Sequence, residues 1–232
     1  MLYLVPTPIG NLDDITYRAV KILSGVDYIL AEDTRTAQSL LQHYGFTKDI
    51  RSYHDHNEHG RLPSILQDLK AGKEIALVSE AGMPGISDPG FLLVRACRLE
   101  NIALTVLPGA SALINALVAS GIPTEPFHFE GFLPHKKGRQ TRLKYLATLQ
   151  NTFILYESPH RILKCLDELI EFCGSERHAA ICRELTKKFE EVKTGTLAAI
   201  KTYFEKEGVV KGEFVVVVSG NSTGQHRVSP DI

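Results

Sequence analysis

Ile75-Ala76-Leu77-Val78-Ser79-Glu80-Ala81-Gly82-Met83-Pro84-Gly85-Ile86-Ser87-Asp88-Pro89-Gly90 is the stretch whose reading decides the fold. Four apolar residues in succession suit a strand covered on both faces by helices, because a half-exposed strand would alternate apolar with polar side chains. Three glycines and two prolines then form a turn, and residues 91–99 are apolar enough to be a helix pressed on a sheet. The same apolar strand pattern recurs at residues 2–5, 28–31 and 102–107, so the first half is expected to form a mostly parallel α/β sheet.

Leu62, Ile65, Leu66 and Leu69 recur at helical spacing, with Gly72 and Asn101 as helix stops and a further small-residue helix expected over 112–120. Gly121-Ile122-Pro123-Thr124-Glu125-Pro126 is the best linker candidate. Beyond it the pattern predicts a strand at 152–156, a helix at 161–172 and strands at 179–182 and 214–218. The expected organisation is therefore two α/β domains, residues 1–121 and 122–220, followed by a polar tail at 221–232.

The 232 residues are 44% hydrophobic and 23% charged, which excludes a disordered, collagen-like or coiled-coil chain. No apolar run is long enough to span a bilayer, and the four cysteines show no paired metal-ligand spacing. Buried free thiols, a cytoplasmic protein and no resident metal are the expectations. Lys and Arg number 26 against 27 Asp and Glu, so bulk positive charge does not point to nucleic acid, although a local patch is compatible with it.

Three turns carry the functional signal. Pro6-Thr7-Pro8-Ile9-Gly10-Asn11-Leu12 follows the first strand, residues 78–90 follow the third, and Pro108-Gly109-Ala110-Ser111-Ala112 follows the fourth. Open α/β sheets bind ligands at the carboxyl ends of their strands, and turns of this kind wrap peptide groups around a small polar ligand while Glu80 or Asp88 takes a cation or hydroxyl. Tight βα connections would account for the same residues individually. Neither the P-loop nor the dinucleotide glycine spacing is present.

The second half holds polar clusters. Five Lys or Arg lie between 136 and 144 without an acidic residue, flanked by Phe129 and Phe132; this is either a phosphate-contacting rim or a solvated helix start. Tyr156-Glu157-Ser158-Pro159-His160-Arg161 and Arg183-Glu184-Leu185-Thr186-Lys187-Lys188-Phe189-Glu190 place charged groups after strands, as a pocket wall or as loop staples. His54, His56 and His59 read as a polar connection rather than a metal site.

Together with Phe129-Glu130-Gly131-Phe132-Leu133-Pro134, these motifs resemble, in order and from about residue 2 to 219, the bacterial small-subunit ribosomal RNA 2'-O-methyltransferases of the tetrapyrrole methylase superfamily. The resemblance implies a homodimer of two α/β domains with S-adenosylmethionine between them, acting on the ribose of a cytidine in 16S rRNA within the small ribosomal subunit. It places Pro8, Gly10, Asn11, Glu80, Ala81, Gly82, Met83, Gly109, Ser111 and Ala112 around the cofactor, with Tyr156 closing the site. One departure stands out: the family usually writes the middle turn Asp-Ala-Gly-Thr-Pro, where this chain has Glu80-Ala81-Gly82-Met83-Pro84.

A ribose hydroxyl needs a proton acceptor or a cation beside its developing negative charge. Asp88, Glu157 and Glu184 are the candidate acceptors, and Arg161, Arg183, Lys187 and Lys188 the candidate cations. Lys136, Lys137, Arg139, Arg142, Arg161 and Lys188 are the candidate RNA contacts. A porphyrin-like substrate is the rival within the same fold, and a noncatalytic binding module the rival outside it.

Overall fold

The computed structural model describes residues 1–221, so the polar tail expected at 221–232 lies outside the described residues apart from Asn221. In chain order the elements are β1 (Leu2–Leu4), α1 (Tyr17–Gly25), β2 (Tyr28–Ala31), α2 (Thr34–His43), β3 (Asp49–Ser52), α3 (Glu58–Lys70), β4 (Ile75–Leu77), α4 (Phe91–Leu99) and β5 (Leu104–Val106). Then follow α5 (Ala112–Ala119), β6 (Phe127–Phe132), α6 (Arg139–Thr148), β7 (Thr152–Glu157), α7 (Ile162–Cys173), β8 (His178–Arg183), β9 (Glu191–Thr196), α8 (Leu197–Lys206) and β10 (Phe214–Val218).

The contacts divide the chain into a unit ending at Ser111 and a unit beginning at Ala112. In the first, five parallel strands run in the order β3-β2-β4-β1-β5. Strand periodicity splits their side chains between two cores. Leu2, Leu4, Tyr28, Leu30, Ile75 and Leu77 meet α3 and α4 on one face, while Val5, Ile29, Ala31, Ala76 and Val78 meet α1 and α2 on the other. The apolar runs in the sequence are this double burial. Thr16 starts α1 by accepting a hydrogen bond from the Ala19 amide at 3.0 Å.

The second unit is a mixed sheet, β6-β7-β10-β8-β9, in which β6 and β7 are parallel and the other neighbours antiparallel. Phe153, Leu155, Phe214, Val216 and Val218 pack with the buried faces of α6, α7 and α8. α5 lies against β7 and β10, burying Leu113, Ala116 and Leu117. This moves the domain boundary from the expected 121 to 111. The proline-rich stretch 121–126 is a turn within the second unit, because the apolar face of α5 is used by the second sheet.

All four cysteines are free thiols; Cys97, Cys165 and Cys182 are buried and Cys173 is half-buried. Among the described residues no helix is long and apolar enough to cross a membrane. Nor, among them, is any group of three His, Cys, Asp or Glu placed to hold a metal ion. His54 instead belongs to a turn closed by Asn57, whose carboxamide oxygen accepts from the His54 amide at 2.9 Å.

Candidate functional site

β4, β1 and β5 are neighbours, so the three glycine-rich turns at their carboxyl ends lie side by side. The first two are stitched together: the Thr7 amide donates to the Gly82 carbonyl and the Gly82 amide to the Thr7 carbonyl, both at 3.0 Å. The Thr7 hydroxyl donates to the Ser79 carbonyl at 3.2 Å, and the Ser79 hydroxyl to the Gly82 carbonyl at 2.8 Å. Gly82 sits at φ +83°, where a side chain would be strained, and an added Cβ would stand 3.3 Å from Ile9 Cγ2. At Gly109 the constraint is contact, since a Cβ would come within 2.7 Å of the Pro6 ring. The turns are thus fitted against one another.

Beside them is a cavity of about 260 Å³ lined by Thr7, Pro8, Gly10, Val78, Ser79 and Glu80 of the turns, with residues of α2. Of the expected cofactor contacts, Pro8, Gly10 and Glu80 line it. Ala81 and Gly109 are exposed beside it, Gly82 is buried in the stitch, and Met83 and Ser111 are half-buried. The Asn11 carboxamide accepts from the Asp13 amide at 3.1 Å and so caps a short turn of helix. Ala112 opens α5 and Tyr156 lies in β7, both in the second unit. The α2 residues Thr36, Ala37, Ser39 and Leu40 also line the cavity and were missed; three of them are small, and that is the only signal the sequence offers.

Four carboxylates collect along this carboxyl edge: Glu32 after β2, Asp55 after β3, and Glu80 and Asp88 after β4. Burial, then repulsion from Glu32, Glu80 and Asp55, raises the Asp88 carboxyl to about 7. Glu32 is raised too, by burial and by Glu80 and Asp55, against a smaller opposite pull from His54. Asp88 has no hydrogen-bond or cationic partner among the described residues. Glu32 and Asp55 were not singled out by the sequence.

The second unit has its own polar edge. β6, β7 and β8 point the same way, so the loops that follow them share one end of the sheet, with β9 and β10 starting there. Glu157, at the end of β7, has a fully buried side chain between two arginines: Arg161 at 2.7 Å and Arg139 at 3.5 Å. Its Oε1 also accepts from the Ser158 amide at 2.8 Å. Arg139 is 4% exposed and pairs again with Glu168 at 2.7 Å.

Several of the sequence candidates have partners within the protein. Arg139 is buried and faces Glu157 and Glu168. Arg142 spends its guanidinium on Glu130, at 2.6 and 2.5 Å, and Arg161 is tied to Glu157 with its Nε buried and unpartnered among the described residues. Glu157 is engaged by both Arg161 and Arg139. Glu184 is held below the usual carboxylate range by the Glu213 amide and Lys187, despite its burial. Arg183 is buried against Glu191 at 2.9 Å, and Lys187 bridges Glu184 at 2.9 Å and Glu213 at 3.1 Å. By contrast Lys136, Lys137 and Lys188 are exposed, with no carboxylate partner among the described residues.

The loop after β8 is under backbone strain. Glu184 at φ 51° and Thr186 at φ 64° both lie in the left-handed region, which a β-branched residue rarely enters. The Thr186 hydroxyl is buried without a partner among the described residues.

Comparison with known proteins bears on both units. The family model Tetrapyrrole (Corrin/Porphyrin) Methylases matches residues 1–201. Ribosomal RNA small subunit methyltransferase I from Synechocystis sp. is 53% identical over 230 residues, 99% of this chain and 82% of that protein. The proteins of the same name from Halalkalibacterium halodurans and Escherichia coli O157:H7 are 47% and 44% identical, covering 99% of this chain and 78% and 81% of their own. Among solved structures, the methyltransferase CobJ aligns with a TM-score of 0.68 at 19% identity over 97% of this chain and 96% of its own. Uroporphyrin-III C-methyltransferase from Thermus thermophilus, complexed with S-adenyl homocysteine, aligns at 0.63 and 16% identity over 93% and 96%. These structural likenesses carry the fold.

Proposed function

The chain belongs to the tetrapyrrole methylases, in the group of the ribosomal RNA small subunit methyltransferases I, and from that premise we propose that it transfers a methyl group from S-adenosylmethionine to the ribose 2'-hydroxyl of a cytidine in 16S rRNA, in the cytoplasm and on the small ribosomal subunit. The observation that carries this reading is the 53% identity over 99% of the chain to a relative bearing that name.

The first unit's residues fit the cofactor. The cavity beside the turns presents a chiefly apolar surface, suited to an adenine ring, with the Glu80 carboxylate at its wall for hydroxyls or a cation. Pro8, Gly10 and Glu80 would hold it there, with the exposed peptide groups of Ala81 and Gly109 alongside. S-adenosylmethionine supplies an electrophilic methyl group when bound. The chain's own tasks are to align the ribose and to accept its proton. We assign the proton to the Asp88 carboxylate, since Glu157 and Glu184 are committed to cations.

The test offers labelled cofactor to undermodified 30S particles, free 16S rRNA and a porphyrin precursor, with digestion of the RNA to nucleosides. Labelled 2'-O-methylcytidine is the expected product. Label confined to the ring compound would transfer the activity to tetrapyrroles, and no label anywhere would remove the enzyme reading.

A homodimer belongs to the same proposal. Phe91 and Leu99 on α4, and Ile114 and Val118 on α5, are exposed apolar residues of the kind a second copy covers. Sedimentation at micromolar protein is expected to give twice the 25.7 kDa chain mass; a monomer at every concentration contradicts it.

A further inference from the structure

The loop edge of the second sheet carries exposed aromatic rings as well as lysines. Phe132, at the end of β6, is 53% exposed although its ring rests on Tyr156 at 5.5 Å between centroids. Phe189, in the loop after β8, is 64% exposed, with Lys188 Nζ 5.5 Å from its ring centre. Burial of large apolar side chains is the default, so two bare phenyl rings at one end of one sheet call for a partner.

Their surroundings select its chemistry. Most carboxylates at this edge have a cationic partner: Glu157 has Arg161 and a share of Arg139, Glu191 has Arg183, and Glu184 and Glu213 share Lys187. Glu190 is the exception, accepting only from the Thr186 amide at 2.5 Å. Left over are the exposed Lys136 and Lys137 beyond Phe132, Lys188 beside Phe189, and Lys211 just before β10. β10 stands between β7 and β8, so Lys211 falls along the edge between the two rings. Three strand spacings separate the end of β6 from that of β8, roughly 14 Å. Aromatic faces alternating with unpaired ammonium groups are complementary to a polyanion with exposed rings, which is unpaired nucleic acid rather than duplex, whose bases are stacked on each other.

We propose that this edge binds single-stranded RNA, with Phe132 and Phe189 each stacking an unpaired base and Lys136, Lys137, Lys188 and Lys211 holding the phosphates between and beside them. The inference rests on the RNA methyltransferase reading and narrows its substrate to a strand whose bases are splayed at the site. The strained, cross-braced 184–190 loop serves to hold Phe189 out from the sheet.

The experiment uses the full chain and a short single-stranded oligoribonucleotide carrying 2-aminopurine, beside the same strand in duplex. The single strand is expected to bind more tightly and its fluorescence to change on stacking. Phe132→Leu and Phe189→Leu, both at exposed positions, should each weaken that binding by about 5- to 100-fold. Lys136→Gln, Lys137→Gln and Lys211→Gln should each reduce the log-affinity against log-salt slope by about 0.7. Equal affinity for single strand and duplex, or unaltered binding by both Phe variants, overturns the proposal. So does weakened binding to 30S particles with RNA affinity intact, which would make a ribosomal protein the partner. Methyl transfer to RNA by the unsubstituted chain with Phe variants unaffected discards this edge alone, whereas no transfer to any RNA discards the reading beneath it.

Discussion

Glu157→Ala is expected to lower the folding stability of the protein by about 3–5 kcal/mol, the usual cost of removing one partner from a buried charge cluster. The Glu157 carboxylate is fully buried and bridges Arg161 and Arg139, the second of which is itself almost wholly enclosed. Its loss leaves Arg161 without an anion and Arg139 with Glu168 alone, and strips the Ser158 amide of its acceptor. Against a typical total of about 5–15 kcal/mol that is a large share. Urea denaturation should show the midpoint falling with the slope unchanged. Glu157→Gln keeps an acceptor for Ser158 and loses only the charge, so its midpoint should lie between the two. A catalytic base at this position would behave in the opposite way, with Glu157→Gln abolishing turnover at full stability; that result would overturn the structural role.

What could be read from the chain was what burial writes into composition. β2, β4, β7 and β10 are apolar throughout or nearly so because helices cover both of their faces, and each was visible as a run. β3 and β9 are outermost strands with one neighbour each, and their sequences, DIRS and EVKTGT, carry no such run. The boundary was misplaced for a related reason: proline and glycine at 121–126 mark a turn, but which sheet the apolar face of α5 covers is a tertiary fact.

The site divides in the same way. The three turns were legible because glycine at 82 and 109 is demanded by local geometry. The charge pairings were not: Arg139 meets Glu157 and Glu168 across 18 and 29 residues, and an arginine in a basic run looks the same in sequence whether it faces phosphate or a buried carboxylate. Asp88 was among three equivalent acceptors by residue type. Folding distinguishes them by surrounding one with carboxylates and the other two with cations.

That distinction gives Asp88→Asn two effects of opposite sign. On activity, removing the proposed proton acceptor should lower kcat/KM by about 10²- to 10⁴-fold. The unsubstituted enzyme should gain kcat/KM with rising pH up to about 7, where the Asp88 carboxyl titrates, and the variant should lack that rise. On stability, the folded-state value of about 7 lies above the unfolded value near 3.9, so the folded chain holds the proton more tightly. The wild-type protein therefore loses stability as pH rises between those values and loses no more above 7 from this group. Asparagine stays neutral throughout, so the variant should match wild type near pH 4 and exceed it at pH 8, by about 1–2 kcal/mol once solvent screening of a half-buried group is allowed for. Thermal melts at the two pH values measure the second effect and single-turnover methylation the first. A variant that is less stable at pH 8 would show that Asp88 has a stabilising partner, and one that keeps full turnover would show that the ribose proton leaves by another route. Slower turnover combined with higher stability at neutral pH is the result expected of a carboxylate held among Glu32, Asp55 and Glu80 for its chemistry, at a cost to the fold.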